Sequence, residues 1–132
     1  MALQDTFKSL ANNSCLALVY SYYLSPYALR SQHMINVIMG WRKDFIDDEC
    51  TVVKPEDYLN LIDNMHRKFK VETVIGEPPM DGKAYPVMYS KNEGKTGHFV
   101  LMRNGRIIFD PLDYSTNVKM GKIYSYRKIT VC

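Results

Sequence analysis

A thiol, an imidazole and a carboxylate can together open an amide bond, and this sequence supplies one of each in a spacing that invites the chemistry: Cys15, His98 and Asp110. The thiolate is the attacking form. An imidazole takes the thiol proton, and a carboxylate bonded to its other ring nitrogen fixes the tautomer and orientation. Cys15 heads the apolar stretch Leu16-Ala17-Leu18-Val19-Tyr20-Ser21-Tyr22-Tyr23-Leu24, directly behind Asn13 and Ser14, either of which is a good helix N-cap. On the first turn of a helix the dipole favours the thiolate, and with a cationic partner a thiol pKa falls from about 8.5 to roughly 3.5–7.5. The competing reading of Cys15 is a small buried hydrophobe.

His98 and Asp110 flank Asn104-Gly105, a hairpin signal between two apolar runs. Their relation depends on the turn. If Arg103-Asn104-Gly105 is a three-residue loop, Met102 pairs with Arg106, Val100 with Ile108 and His98 with Asp110, so histidine and aspartate share a face. If Asn104-Gly105 is a two-residue turn, His98 falls opposite Pro111 and Asp110 points to the other face unless a bulge intervenes. A catalytic pair therefore predicts the three-residue loop. Without that pairing, His98 is a satisfied sheet histidine and Asp110 a strand-end residue before proline.

The positioning elements follow from periodicity. Leu3, Phe7 and Leu10 suggest a short helix within Met1 to Ala11, and the stretch from Cys15 to Leu24 is apolar all round, as a buried helix is. Ser25-Pro26 predicts a second helix reaching Gly40, with His33 half exposed inside it. Trp41 to Thr51 is irregular, and Cys50 follows Asp47-Asp48-Glu49, whose charges disfavour a neighbouring thiolate. Pro55 with Glu56 and Asp57 opens a third helix, burying Tyr58, Leu59, Leu61, Ile62 and Met65, with His66 at its positive-loving C-terminal end. Strands are expected over 71–75, 85–89, 97–102, 106–110 and 122–131, with Pro86 keeping its strand near an edge or at a strand start. Helices over about 1–68 and strands over about 69–132 imply one α+β domain, N-terminal helices packed on a C-terminal antiparallel β-sheet.

Composition narrows the function. A chain of 132 residues can bury a sizeable core without a disulfide or metal. A net charge of +3 is too small to imply nucleic acid. Neither a signal peptide nor a membrane span is expected, and three cysteines without a C-x-x-C pair argue against a disulfide framework or structural zinc. The expected setting is the cytoplasm. His33, His66 and His98 with Asp47, Asp48 and Glu49 are the candidate metal ligands, but no two histidines share a ligand motif on one element, so no metal or other cofactor is expected.

Ser14-Cys15-Leu16 opening a helix, Gly97-His98-Phe99-Val100, and Phe109-Asp110-Pro111-Leu112 with Ser115 resemble the papain-like cysteine peptidases. The likeness is greatest to a small phage- and plasmid-borne branch and more distant to the bacteriocin-processing peptidases. Phe45 to Val52 and the tail from Gly121 to Arg127 also look like that branch. The resemblance implies a papain-like fold with Cys15 as nucleophile, His98 as general base and acid, Asp110 as orienting residue, and a peptide or protein substrate. Papain-like enzymes usually carry an oxyanion-hole glutamine a few residues before the cysteine, where this chain has Ser9; Gln4 lies further upstream. The chemistry needs preorganised donors rather than glutamine itself. With Asn13 occupied as a cap, Asn12 and the Cys15 N–H are the expected donors.

The expected activity is thus a thiol hydrolase working through an acyl-enzyme. A cell-wall amidase, a transglutaminase-like transferase or a deamidase would use the same three residues. The alternative is a catalytically inactive module that binds a peptide or single-stranded nucleic acid, for which Lys122, Tyr124, Tyr126 and Lys128 would form a basic-aromatic row on one face of the last strand. Against it stands a solvated sheet face whose tyrosines cover their neighbours.

Overall fold

A computed structural model describes residues 15–111 and 116–132, with the side chains of Cys15, Thr116 and Asn117 outside the described set. The elements are α1 (Cys15–Leu24), α2 (Arg30–Arg42), α3 (Pro55–Ile62), β1 (Phe69–Ile75), β2 (Ala84–Ser90), β3 (His98–Arg103), β4 (Arg106–Phe109), α4 (Thr116–Met120) and β5 (Lys122–Val131). They form an α+β fold whose single described sheet runs β1-β5-β2-β3-β4 with every neighbouring pair antiparallel. The short helix expected within Met1 to Ala11 lies outside the described residues.

The helices and the sheet make two layers. Ala17, Leu18, Val37, Ile46, Tyr58, Leu59 and Phe69 form the main core, with Val71, Phe109 and Ile129 presented to it from one sheet face. Tyr85, Val87, Val100 and Met102 form a second cluster on the opposite face, closed in part by Val118 of α4. α1 is the central helix. It touches α2, α3 and the sheet, and among the strands it packs most closely on β3. Burial on all sides is why its sequence lacks a polar face. Tyr58 locks it in place from α3, donating its hydroxyl to the Ala17 carbonyl at 3.2 Å.

Several boundaries depart from the pattern reading. α2 begins at Arg30 rather than at Pro26, because Ser25 to Ala28 closes a turn first, with Ala28 N–H on the Ser25 carbonyl at 3.1 Å. It also runs through Gly40 to Arg42. There the missing side chain admits the Tyr58 ring, since a Cβ would stand 2.6 Å from it. α3 stops at Ile62, where Asp63 turns the chain by accepting the Arg67 N–H and two guanidinium N–H bonds at 2.9 and 3.1 Å. Met65 is consequently exposed rather than buried, and His66 sits in the turn with φ +49 rather than on a helix end. Pro86, expected near an edge or at a strand start, lies inside the middle strand β2, buried opposite Leu101. Among the described residues no helix is long and apolar enough to cross a membrane.

Candidate functional site

Asn104 and Gly105 both adopt positive φ, +50 and +77, so the β3–β4 hairpin closes with a two-residue turn of type I′ and Arg103 pairs with Arg106. This corrects the three-residue loop. Continued regularly, such a turn would send His98 and Asp110 to opposite faces. A bulge changes the outcome: Met102 opposes Ile107, yet Leu101 opposes Phe109, leaving Ile108 as the extra residue. Counting on from Phe109, Asp110 comes opposite Val100 and diagonal to His98, on one face. The His98 Nε2 and Asp110 Oδ1 atoms are 2.6 Å apart.

That pair is sheltered, with side-chain exposures of 6% for His98 and 15% for Asp110. An N–H···O contact this short in so little water is a strong bond, and an ion pair whenever the imidazole is protonated. It leaves Nδ1 as the ring nitrogen facing the other way. Asp110 is acceptor-only when ionised, so Nε2 carries the hydrogen and Nδ1 is the basic position of the neutral ring.

Cys15 lies on α1 as its first described residue, and the helix runs along β3 in a definite sense. At its C-terminal end Tyr22, Tyr23 and Leu24 line a groove with Leu101 and Arg103. In its middle, Tyr20 feels the charge of Arg127, whose guanidinium lies 5.0 Å above the Phe99 ring. The order Leu24 beside Arg103 and Tyr20 beside Phe99 directs the head of α1 toward the start of β3, where His98 stands. Tyr22 stacks on Phe109 with ring centroids 4.2 Å apart, so the residue before Asp110 is held by the helix that carries Cys15. α1 lies against the Phe99, Leu101 and Phe109 face, whereas His98 alternates with Val100 and Met102 to the other. Asn12, the expected oxyanion donor, lies outside the described residues, as do Asn13, Ser14, Leu112 and Ser115.

The other histidines serve elsewhere. His33 is 4% exposed rather than half exposed, and its Nδ1 lies 2.6 Å from Ser21 Oγ on α1. Asn36 Nδ2 donates to the same oxygen at 2.8 Å, so the Ser21 hydroxyl joins both α2 side chains to α1. Burial holds this imidazole below its usual pKa, the Ala28 backbone opposes that, and Arg30 adds to it. Gln32 completes the tie by donating to Asn36 at 3.0 Å. Pattern reading missed this seam between α1 and α2 because its members, Ser21, His33 and Asn36, are polar.

Asp47 accepts the Glu49 and Thr51 N–H groups at 3.0 and 2.9 Å, so it organises its own turn. Among the described residues no three His, Cys, Asp or Glu side chains converge as a metal site. Cys50 is buried in the main core. The expected row on β5 is broken as well: Met88 opposes Ser125 but Tyr89 opposes Ile123, so Tyr124 bulges and Lys122 turns to the face away from Tyr126 and Lys128. Tyr126 meets Tyr85 edge-on at 5.4 Å, and Tyr124 covers Gly94, where a Cβ would come within 2.6 Å of its ring. Comparison with protein-family models, curated proteins and solved structures finds no match to this chain.

Proposed function

We propose that this chain is a cysteine peptidase or related thiol amide hydrolase of papain-like fold, acting on a peptide or protein in the cytoplasm through Cys15, His98 and Asp110. The observation that carries this reading is the sheltered 2.6 Å bond from His98 Nε2 to Asp110. A bulge is needed to make that bond, and it orients an imidazole at the end of β3 toward which a cysteine-headed helix is directed.

In the proposed reaction His98 Nδ1 takes the Cys15 thiol proton, and Sγ attacks the substrate carbonyl carbon. The tetrahedral oxyanion is met by the Cys15 N–H and an amide such as that of Asn12. Collapse breaks the C–N bond, with His98 returning the proton to the departing amine. Water then attacks the thioester, giving its proton to His98, and the acid leaves as Sγ recovers that proton. Asp110 stays ionised and stabilises the imidazolium. Because α1 and His98 approach β3 from different faces, the thiol must reach the ring around the strand's first residue.

Fluorogenic peptide amides test the reading. Hydrolysis by the wild-type chain that disappears in Cys15→Ala and His98→Ala, with folding intact by circular dichroism, is the expected result. Hydrolysis unchanged by Cys15→Ala would overturn it.

A further inference from the structure

The end of α1 farthest from Cys15 opens onto a groove of about 670 Å³. Leu24 and Tyr27 stand on one side, and Leu101, Ile108, Lys83 and Arg103 on the other. Tyr27 is 99% exposed, an aromatic ring left wholly in water, and Ile108 is exposed beside it. Lys83 and Arg103 are exposed too, and among the described residues neither side chain forms an ion pair. Asp81 accepts the Tyr85 hydroxyl at 2.6 Å and the Lys83 N–H at 3.0 Å, and these bonds, with a smaller share from the Lys83 charge, hold its carboxyl below the usual range. Arg67, a third cation of the groove, is tied to Asp63. No Asp or Glu lines the groove among the described residues.

We infer that this groove holds an acidic, partly apolar stretch of peptide, its carboxylates on Lys83 and Arg103 and its apolar side chains against Leu24, Ile108 and Tyr27. Charge selects the partner's sign. The apolar walls select its kind, because a nucleic acid strand would need a run of open stacking faces and a longer track of cations. Tyr22 is already stacked on Phe109 and Tyr23 is half-buried, which leaves Tyr27 alone for a base.

Resting on the proposed hydrolase reading, the groove becomes a substrate exosite. From Leu24 back to Cys15 the helix rises about 13 Å, a span that an extended peptide crosses in about four residues. Cleavage would then favour chains with acids about four residues or more from the bond that breaks.

The test is fluorescence anisotropy on the full chain carrying Cys15→Ala, with three labelled probes: a short peptide of Glu, Leu and Gly, its counterpart with Lys for Glu, and an oligothymidylate. The acidic peptide binds, the basic one does not, and Lys83→Glu with Arg103→Glu weakens binding about tenfold or more. Equal binding of both peptides, indifference to the charge reversal, or preference for the oligothymidylate would overturn the inference. If the double variant loses its fold, the discrimination between acidic and basic peptide decides alone. Acidic-peptide binding without any wild-type hydrolysis would keep the groove and remove the enzyme; hydrolysis without such binding would do the reverse.

Discussion

His98 and Asp110 meet at 2.6 Å because Ile108 is one residue too many. The Asn104-Gly105 turn alone would place them on opposite faces, and the bulge exchanges those faces for everything beyond it. A local irregularity in an edge strand thus decides whether an imidazole has a carboxylate partner.

Inserting one glycine between Phe109 and Asp110 should leave Phe109 opposite Leu101 and carry Asp110 to the face away from His98. The expected outcome is a folded protein whose His98 ring loses the Nε2–H···O bond, seen as loss of its downfield imidazole proton resonance. Persistence of that resonance would mean that strand register does not govern the pair.

Asp110→Asn keeps the shape and removes the charge. The amide can present either nitrogen or oxygen to Nε2, so the tautomer is no longer fixed, and the imidazolium loses its counter-charge. Turnover should drop on the order of a hundredfold or more, the scale of a general base removed from its working state. Steady-state kinetics on a fluorogenic amide reads this directly, and KM should move far less than kcat.

Gly40→Ala should destabilise the helical layer. Its Cβ would stand 2.6 Å from the Tyr58 ring and 2.9 Å from Ile46, both in the core, and Tyr58 also holds the Ala17 carbonyl of α1. Overpacking of this kind costs about 1–3 kcal/mol. Urea denaturation should show a lower midpoint with an unchanged slope.

His33 makes stability depend on pH. Burial lowers its pKa in the folded state, so the unfolded chain takes up a proton that the folded chain resists. The contribution is whole above the ordinary histidine value of about 6.5 and is lost as pH falls below it toward the folded value. Unfolding curves at pH 7.5 and 5.5 should therefore diverge in the wild type and converge in His33→Gln. Equal pH dependence in both would assign the effect to other groups.

Much of this fold is legible in the residues, and what escaped has physical causes. Asn104-Gly105 marks the hairpin, and the unbroken apolar run from Phe99 to Met102 marks β3, so the proximity of His98 and Asp110 follows from spacing. The means of achieving it does not: Ile107, Ile108 and Phe109 are all apolar, and a pattern without polar members cannot say which one is skipped. α2 hides its buried stripe similarly, because beside Val37 its members His33, Asn36 and Gly40 are polar or small and bury themselves by hydrogen bonding and close approach. α4 spans five residues, too few to show a helical period. The backbone of Cys15 is helical, while Asn12, Asn13 and Ser14, on which its place at a helix start depends, lie outside the described residues.

The pH dependence of Cys15 alkylation by a small haloacetamide tests the central claim most directly. It is measured with Cys50→Ala and Cys132→Ser in place, since Cys50 sits in the core and Cys132 is exposed. The account predicts an apparent thiol pKa well below the unperturbed value of about 8.5, moving back up when His98→Ala is added. A profile near that unperturbed value with or without His98 would contradict it.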